Sequence, residues 1–254
     1  MSFAIVSMAR TGSTSVSRVL STDPAIGIAY EPTFALPNLS TAAVRNRCQD
    51  LFAEYAGIKH VWDPNGWPFV SHEYMSTLES LEHSEDLIEL NATIASFPSK
   101  VVFLRRRDQF ARTISDLMGQ QSNLWGHSPN EPYDPTERIQ YRQQVKQFEM
   151  KPINSEIVEW YMVNAWNQEE AVIERTPGAQ RLIVYYEDLF DHNSWASRDF
   201  SAWNQLASWV GARPAMYDEY VQKLIAPQEK YNRQEIFEMI PNYNELAAKF
   251  SGTN

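Results

Sequence analysis

A chain of 254 residues, 43% of them hydrophobic, is long enough to bury one large core or two small ones. Its 22 basic against 32 acidic residues give a net charge of −10, and no basic tail offsets it, which argues against general nucleic-acid binding. A single cysteine, Cys48, excludes an internal disulfide and a thiolate metal cluster, and no run approaches the ~20 apolar residues of a membrane helix. With no basic leader before its first apolar run, the chain is expected to be soluble and cytoplasmic, without stable membrane insertion.

The first twenty residues read as strand, tight loop and helix. Phe3 to Met8 is an apolar run of strand length. Ala9 to Ser13 is a small-residue turn around Gly12. Ser13 and Thr14 suit a helix start, and Val16, Val19 and Leu20 follow at helical spacing. Such a unit aims backbone N–H groups and a helix N-terminus at one point, ready for an anion. Against the P-loop pattern the register is Ser7-Met-Ala-Arg-Thr-Gly12-Ser13-Thr14. Ser7 replaces the first glycine, Ser13 replaces the lysine, and the cation sits inside the loop at Arg10. Ordinary ATP or GTP hydrolysis is disfavoured. The stretch is either a phosphate-holding relative or a plain turn capped by Ser and Thr.

Thr22-Asp23-Pro24 turns the chain, and Ala25 to Tyr30 reads as a second strand. Pro32 pushes Glu31 toward extended geometry, at the carboxyl end of that strand, where open parallel sheets bind ligands. A helix is expected over 41–56 and a third strand over Gly57 to Trp62, followed by the breaker Asp63-Pro-Asn-Gly66. Two short helices fit 73–97. Lys100 to Leu104 is a strong strand, followed by a helix over 109–119. Residues 126–136, rich in Pro, Asn, Gly and His, read as a lid-like loop. Helix resumes over 136–175 with a break at 151–154, and Arg181 to Tyr185 is the last strand. The remainder is helical and irregular. Strands alternating with helices predict one α/β domain over 1–254, with a mostly parallel sheet covered on both faces and a helical C-terminal part.

Arg105, Arg106 and Arg107 follow the fourth strand of an acidic protein. They are either a solvated basic turn or planar, bidentate donors to a phosphate, with Ser115 two helical turns beyond Arg107 in reach of the same anion. Taken together, the first loop and the strand–Arg–Ser stretch resemble the sulfotransferase superfamily, whose members use 3′-phosphoadenosine 5′-phosphosulfate (PAPS) as sulfo donor. The resemblance implies a P-loop-like fold. It places the 5′-phosphosulfate on Arg10, Thr11, Gly12, Ser13, Thr14 and Ser15, and the 3′-phosphate on Arg107 and Ser115, with Arg106 in place of Arg107 if the register slips by one. The likeness is closest to the bacterial branch with trehalose and glycolipid sulfotransferases. There the loop cation is likewise Arg, and the second motif continues as here through Gln120, Gln121, Ser122 and Trp125. Tyr30-Glu31-Pro32-Thr-Phe34, the run Gly57 to Trp62, and Tyr186-Glu187-Asp188-Leu189 are weaker points of similarity. The Arg-Lys-Gly loop of the eukaryotic cytosolic members has no counterpart; Lys230 and Arg233 are the nearby cations.

Sulfo transfer needs positioning and stabilisation of charge on a leaving phosphate, the work assigned to Arg10 and the loop amides. A hydroxyl acceptor needs a general base. Glu31 is the first candidate and His60 the second, the alternatives being a surface glutamate and a structural histidine. Lys59 is a candidate to orient donor or acceptor, and Trp62, Trp125 and Tyr133 to line the acceptor pocket. The five histidines lack metal-ligand spacing, and the reaction requires no metal ion. The expected enzyme is a PAPS-dependent sulfotransferase with a small, carbohydrate-like hydroxyl acceptor. The alternatives are a P-loop-type small-molecule kinase and a non-catalytic nucleotide-binding protein. Nothing in the sequence decides between a monomer and a homodimer.

Overall fold

The computed structural model describes residues 2–30, 41–62, 84–122, 124, 135–226, 234–250 and 252. The predicted Glu31, Trp125, Tyr133, Lys230 and Arg233, the breaker at 63–66 and most of the 126–136 loop lie outside these. The sheet is built outward from β1 (Phe3–Met8), buried along its whole length, as a strand covered on both faces must be. It pairs in parallel with β3 (Gly57–Trp62) on one side and β4 (Lys100–Arg105) on the other. The outer strands are β2 (Ile28–Tyr30) and β5 (Arg181–Tyr185), giving the all-parallel order β2-β3-β1-β4-β5. The expected α/β class is the observed one.

Alternation along β1 separates two cores. Phe3 and Ile5 face α1 (Ser13–Leu20), α9 (Ser201–Val210) and α10 (Glu219–Ile225). Ala4, Val6 and Met8 face α2 (Thr41–Glu54), α3 (Ser84–Ser96) and the C-terminal half of α6 (Ser155–Arg175). A third core lies beside the sheet. There α4 (Gln109–Ser122) and the first half of α6 pack with α5 (Pro135–Gln147), α11 (Gln234–Phe237) and α12 (Tyr243–Phe250). Between β5 and α9 run two short helices, α7 (Tyr186–Leu189) and α8 (His192–Ser197).

Several boundaries differ from those the sequence predicts. β2 begins at Ile28, not Ala25, because the Asp23 carboxylate accepts the Ala25 N–H at 2.9 Å and its carbonyl accepts the Ile26 N–H, folding 23–26 into a turn. α4 runs to Ser122, one turn past Gly119. Of the two helices expected over 73–97, α3 occupies 84–96 and the rest lies outside the described residues. The break at 151–154 is where Asn154 caps α6, its side chain accepting the Glu156 N–H at 2.8 Å.

The strand order fixes where a site can form. The connection after β1 leads to β2 and β3 on one side, and the one after β4 leads to β5 on the other. The chain therefore parts at the carboxyl ends of β1 and β4, the switch point where open α/β sheets bind ligands. Among the described residues no helix is long and apolar enough to cross a membrane.

Candidate functional site

The loop after β1 reverses through two left-handed residues, Arg10 at φ 65° and Gly12 at φ 83°. Only glycine fits at 12, since a Cβ there would lie 2.8 Å from two ring carbons of Tyr186. Gly12 brings no side-chain cap to α1, so the residue before the helix leaves its first-turn amides to another acceptor. The Thr11 hydroxyl donates to the Met8 carbonyl at 3.0 Å and braces the loop from below. Ser13 is buried, and Thr14 and Ser15 are half-buried on the first turn. Lys59 pairs in register with Ile5 and so shares the α1 face of the sheet. Its buried ammonium donates to the Thr14 hydroxyl at 2.7 Å and lies 6.0 Å from the Tyr30 ring centre.

β4 delivers its three arginines to three different places. Arg105 is the last residue of the strand and is buried. Its guanidinium donates to Glu169 at 2.8 Å and Glu170 at 2.7 Å and lies 3.9 Å from the Trp166 ring centre. Contrary to its expected place in a basic phosphate turn, Arg105 ties the sheet to α6. Burial pushes the Glu169 carboxyl up, against the pull of Arg105 and Arg112. Arg106 leans back over the first loop: Nη1 donates to the Arg10 carbonyl at 3.3 Å and the guanidinium lies 5.0 Å from the Tyr186 ring centre. Arg107 is half-exposed and turns away to Asp188, which it grips with two hydrogen bonds at 2.6 and 2.9 Å. Glu187 completes that clamp by accepting the N–H groups of Arg107 at 3.0 Å and Asp108 at 3.2 Å.

Ser115 reaches the loop from α4. Its hydroxyl accepts the Arg10 Nε–H at 2.9 Å, a contact between residues 105 positions apart in sequence. The structure therefore gathers Arg10, Gly12, Ser13, Thr14, Lys59, Arg106 and Ser115 at the switch point. It does not bring Arg107 to Ser115, since Arg107 faces Asp188 while Ser115 takes Arg10. The arginine one register step away, Arg106, is the one on the loop.

His60 is placed away from this cluster. It pairs in register with Val6, which puts it on the α3 side of the sheet. There it is 1% exposed, with Nε2 2.7 Å from the Asn91 amide oxygen. Trp62 is fully buried in the same core. Gln120 and Gln121 hold the end of α4, bonding to Tyr161 at 3.0 Å and to the Lys151 backbone. Cys48 is buried in the α2–α3 core and its thiol is pushed up to about 12 by burial, so it is no nucleophile.

Three features escape a reading of the sequence: the Tyr186 ring seated on Gly12, the Glu187–Asp188 clamp, and the Glu169 anchor of Arg105. The Tyr-Glu-Asp run after β5 and the Glu169-Glu170 pair were their only signals. Beside Arg107 opens a cavity of about 720 Å³ walled by Met162, Trp166, Tyr185 and Phe250. Among the described residues no group of His, Cys, Asp or Glu is arranged to hold a metal ion.

Fold and site together define a parallel α/β protein with a strand–loop–helix at the switch point of its sheet, lined by Arg10, Lys59 and Arg106. No protein-family model and no curated protein matches the chain.

Proposed function

We propose that this protein is a cytoplasmic sulfotransferase that moves a sulfo group from PAPS to a hydroxyl of a small acceptor. The observation that carries the reading is the Arg10–Ser115 hydrogen bond, which joins the two motifs of the resemblance in one place. The cradle suits an anion. Arg10, Arg106 and Lys59 converge on a loop whose helix brings no side-chain cap of its own, and the buried Arg106 Nε makes no hydrogen bond, lying 4.0 Å from Glu187 Oε1. In the transfer, the bond from sulfur to the acceptor oxygen forms as the bond from sulfur to the phosphate oxygen breaks. Charge grows on the departing 3′-phosphoadenosine 5′-phosphate (PAP), where Arg10 and the loop amides stabilise it. The acceptor proton passes to a carboxylate. Glu31, which follows β2 in sequence, is the base this reading favours, because His60 is walled into the core on the other side of the sheet.

Thermal melting with added nucleotide tests this. A ligand bound only by the folded protein at a hundred times its Kd stabilises by about 2.7 kcal/mol, a rise of several degrees. PAP is expected to raise Tm and ATP with Mg²⁺ to leave it unchanged. Stabilisation by ATP alone overturns the sulfotransferase reading in favour of a kinase or a non-catalytic nucleotide-binding protein, and stabilisation by neither removes both enzyme readings.

A further inference from the structure

The face of the sheet opposite Lys59 carries a cavity that the proposed transfer does not use. Ile183 pairs in register with Phe103, which belongs to the core shared by α2, α3 and α6, so Tyr185, two residues on, faces α6 as well. There a cavity of about 720 Å³ opens. Arg10, Lys59, Arg106 and Ser115 form no part of its wall. One face of α6 supplies most of it, since Glu159, Met162, Val163, Trp166 and Asn167 recur at helical spacing. Tyr185 of β5 and Phe250 of α12 complete the apolar lining. Met162 and Phe250 are buried, but Val163 is 52% and Trp166 37% exposed. Large apolar side chains left open in a concave wall are the usual lining of a small-molecule site, and the volume is that of a drug-sized ligand. Three rings in one wall favour a flat aromatic body.

The charges around the cavity narrow the class of ligand. Arg107, Glu159 and Lys249 are the charged side chains of the wall, and all three are paired. Arg107 holds Asp188 at 2.6 Å and Lys249 lies 3.3 Å from Glu159. Each cation also lies over a ring of the lining, Arg107 at 4.2 Å from the centre of Tyr185 and Lys249 at 4.7 Å from that of Phe250. Arg105, over Trp166, is committed to Glu169 and Glu170. A charged ligand would enter an apolar pocket whose ions are already matched and would stay unpaired there, at a cost. An uncharged ligand leaves every pair intact. One polar group on the wall is left over. Asn167 is exposed, and its side chain makes no hydrogen bond among the described residues. Its carboxamide presents a donor and an acceptor side by side, and a second planar amide meets both at once.

We propose that this cavity is a second ligand site, and that it takes an uncharged, fused-ring aromatic compound bearing an amide or lactam. The ring body lies among Trp166, Tyr185 and Phe250, and the amide pairs with Asn167. The site is built by the α6 face of the sheet and is independent of the sulfo-transfer reading.

Ligand-detected NMR titration of the full chain with naphthalene-2-carboxamide tests this. Two probes of the same shape accompany it, anionic naphthalene-2-carboxylate and cationic 2-naphthylmethylammonium. The carboxamide is expected to bind with a Kd of about 1 mM or tighter, and each charged probe at least about tenfold more weakly. Absence of carboxamide binding, or equal or tighter binding of a charged probe, overturns the proposal. Two variants locate the site, both at exposed positions of α6 where substitution leaves the fold intact. Val163→Arg places a bulky charge in the wall and is expected to weaken carboxamide binding about tenfold or more with Tm unchanged. Asn167→Ala removes the amide partner and is expected to weaken it about fivefold, while leaving the charged probes as they were. Carboxamide binding that survives both substitutions lies elsewhere on the protein and overturns the assignment.

Discussion

Two left-handed residues in one short loop separate stability from chemistry at the residue scale. At Gly12 a methyl group meets the Tyr186 ring at 2.8 Å and a φ of 83° that L-residues resist. Gly12→Ala should cost about 2–4 kcal/mol in denaturant unfolding. Tyr186→Ala in the same chain should recover the packing part and leave the backbone part. An unchanged midpoint for Gly12→Ala would show that the ring does not press on the loop. Arg10 reverses the relation. It holds a φ of 65° despite its side chain, so the fold carries a strain that glycine would relieve. Arg10→Gly should therefore keep or slightly raise Tm, by an effect of about 0.5–1 kcal/mol, while the proposed sulfo transfer falls about 10²-fold or more. A variant that lost stability and kept transfer would mean Arg10 is a structural residue.

At the scale of elements, the arginine-rich end of β4 shows what sequence can and cannot disclose. The strand itself, its helix and the parallel order around β1 follow from apolar runs and from strand–helix alternation, signals that lie within each segment. Which way three consecutive arginines turn does not, because their partners lie far off in the chain. Arg105 meets Glu169 and Glu170 on α6, Arg106 meets the Arg10 carbonyl, and Arg107 meets Asp188 on α7. The first loop was legible because a strand, a glycine and a helix start are local, whereas Ser115 as its hydrogen-bond partner is a product of topology. His60 shows the same division. Its strand is local information, and its face is set by register against β1. The Arg105–Glu169 bond is the joint between sheet and α6, with both side chains 3% exposed. Arg105→Met leaves Glu169 buried without its cation and should destabilise by about 3–5 kcal/mol, the cost typical of a broken buried pair. Arg105→Met with Glu169→Leu should recover most of this. Equal losses in the single and double variants would place the energy in the Trp166 stacking instead.

At the scale of the whole molecule, three surface carboxylates brace turns, one of them across the fold, and should set the acid limit of stability. Asp23 accepts the Ala25 N–H at 2.9 Å and the Arg213 N–H at 2.7 Å, tying the turn after α1 to the segment after α9 across 190 positions. Asp191 accepts the Ser194 N–H at 2.7 Å at the start of α8, and Asp199 accepts the Ser201 N–H at 3.0 Å before α9. Backbone N–H donors hold all three below the ordinary value of 3.8. A carboxylate depressed in the folded state binds its proton more readily in the unfolded chain. Its contribution is therefore complete above 3.8 and is lost as pH falls through the lower folded values. Melting temperature measured from about pH 6 down to about pH 2 should hold level on this account to about pH 4 and then fall. Asp→Asn at 23, 191 and 199 together leaves the amide oxygens to accept the same N–H groups but removes the titration. The triple variant should start lower at pH 6 and decline less steeply below pH 4. Parallel curves for the two proteins would assign the acid limb to other carboxylates and leave these three as neutral hydrogen-bond acceptors.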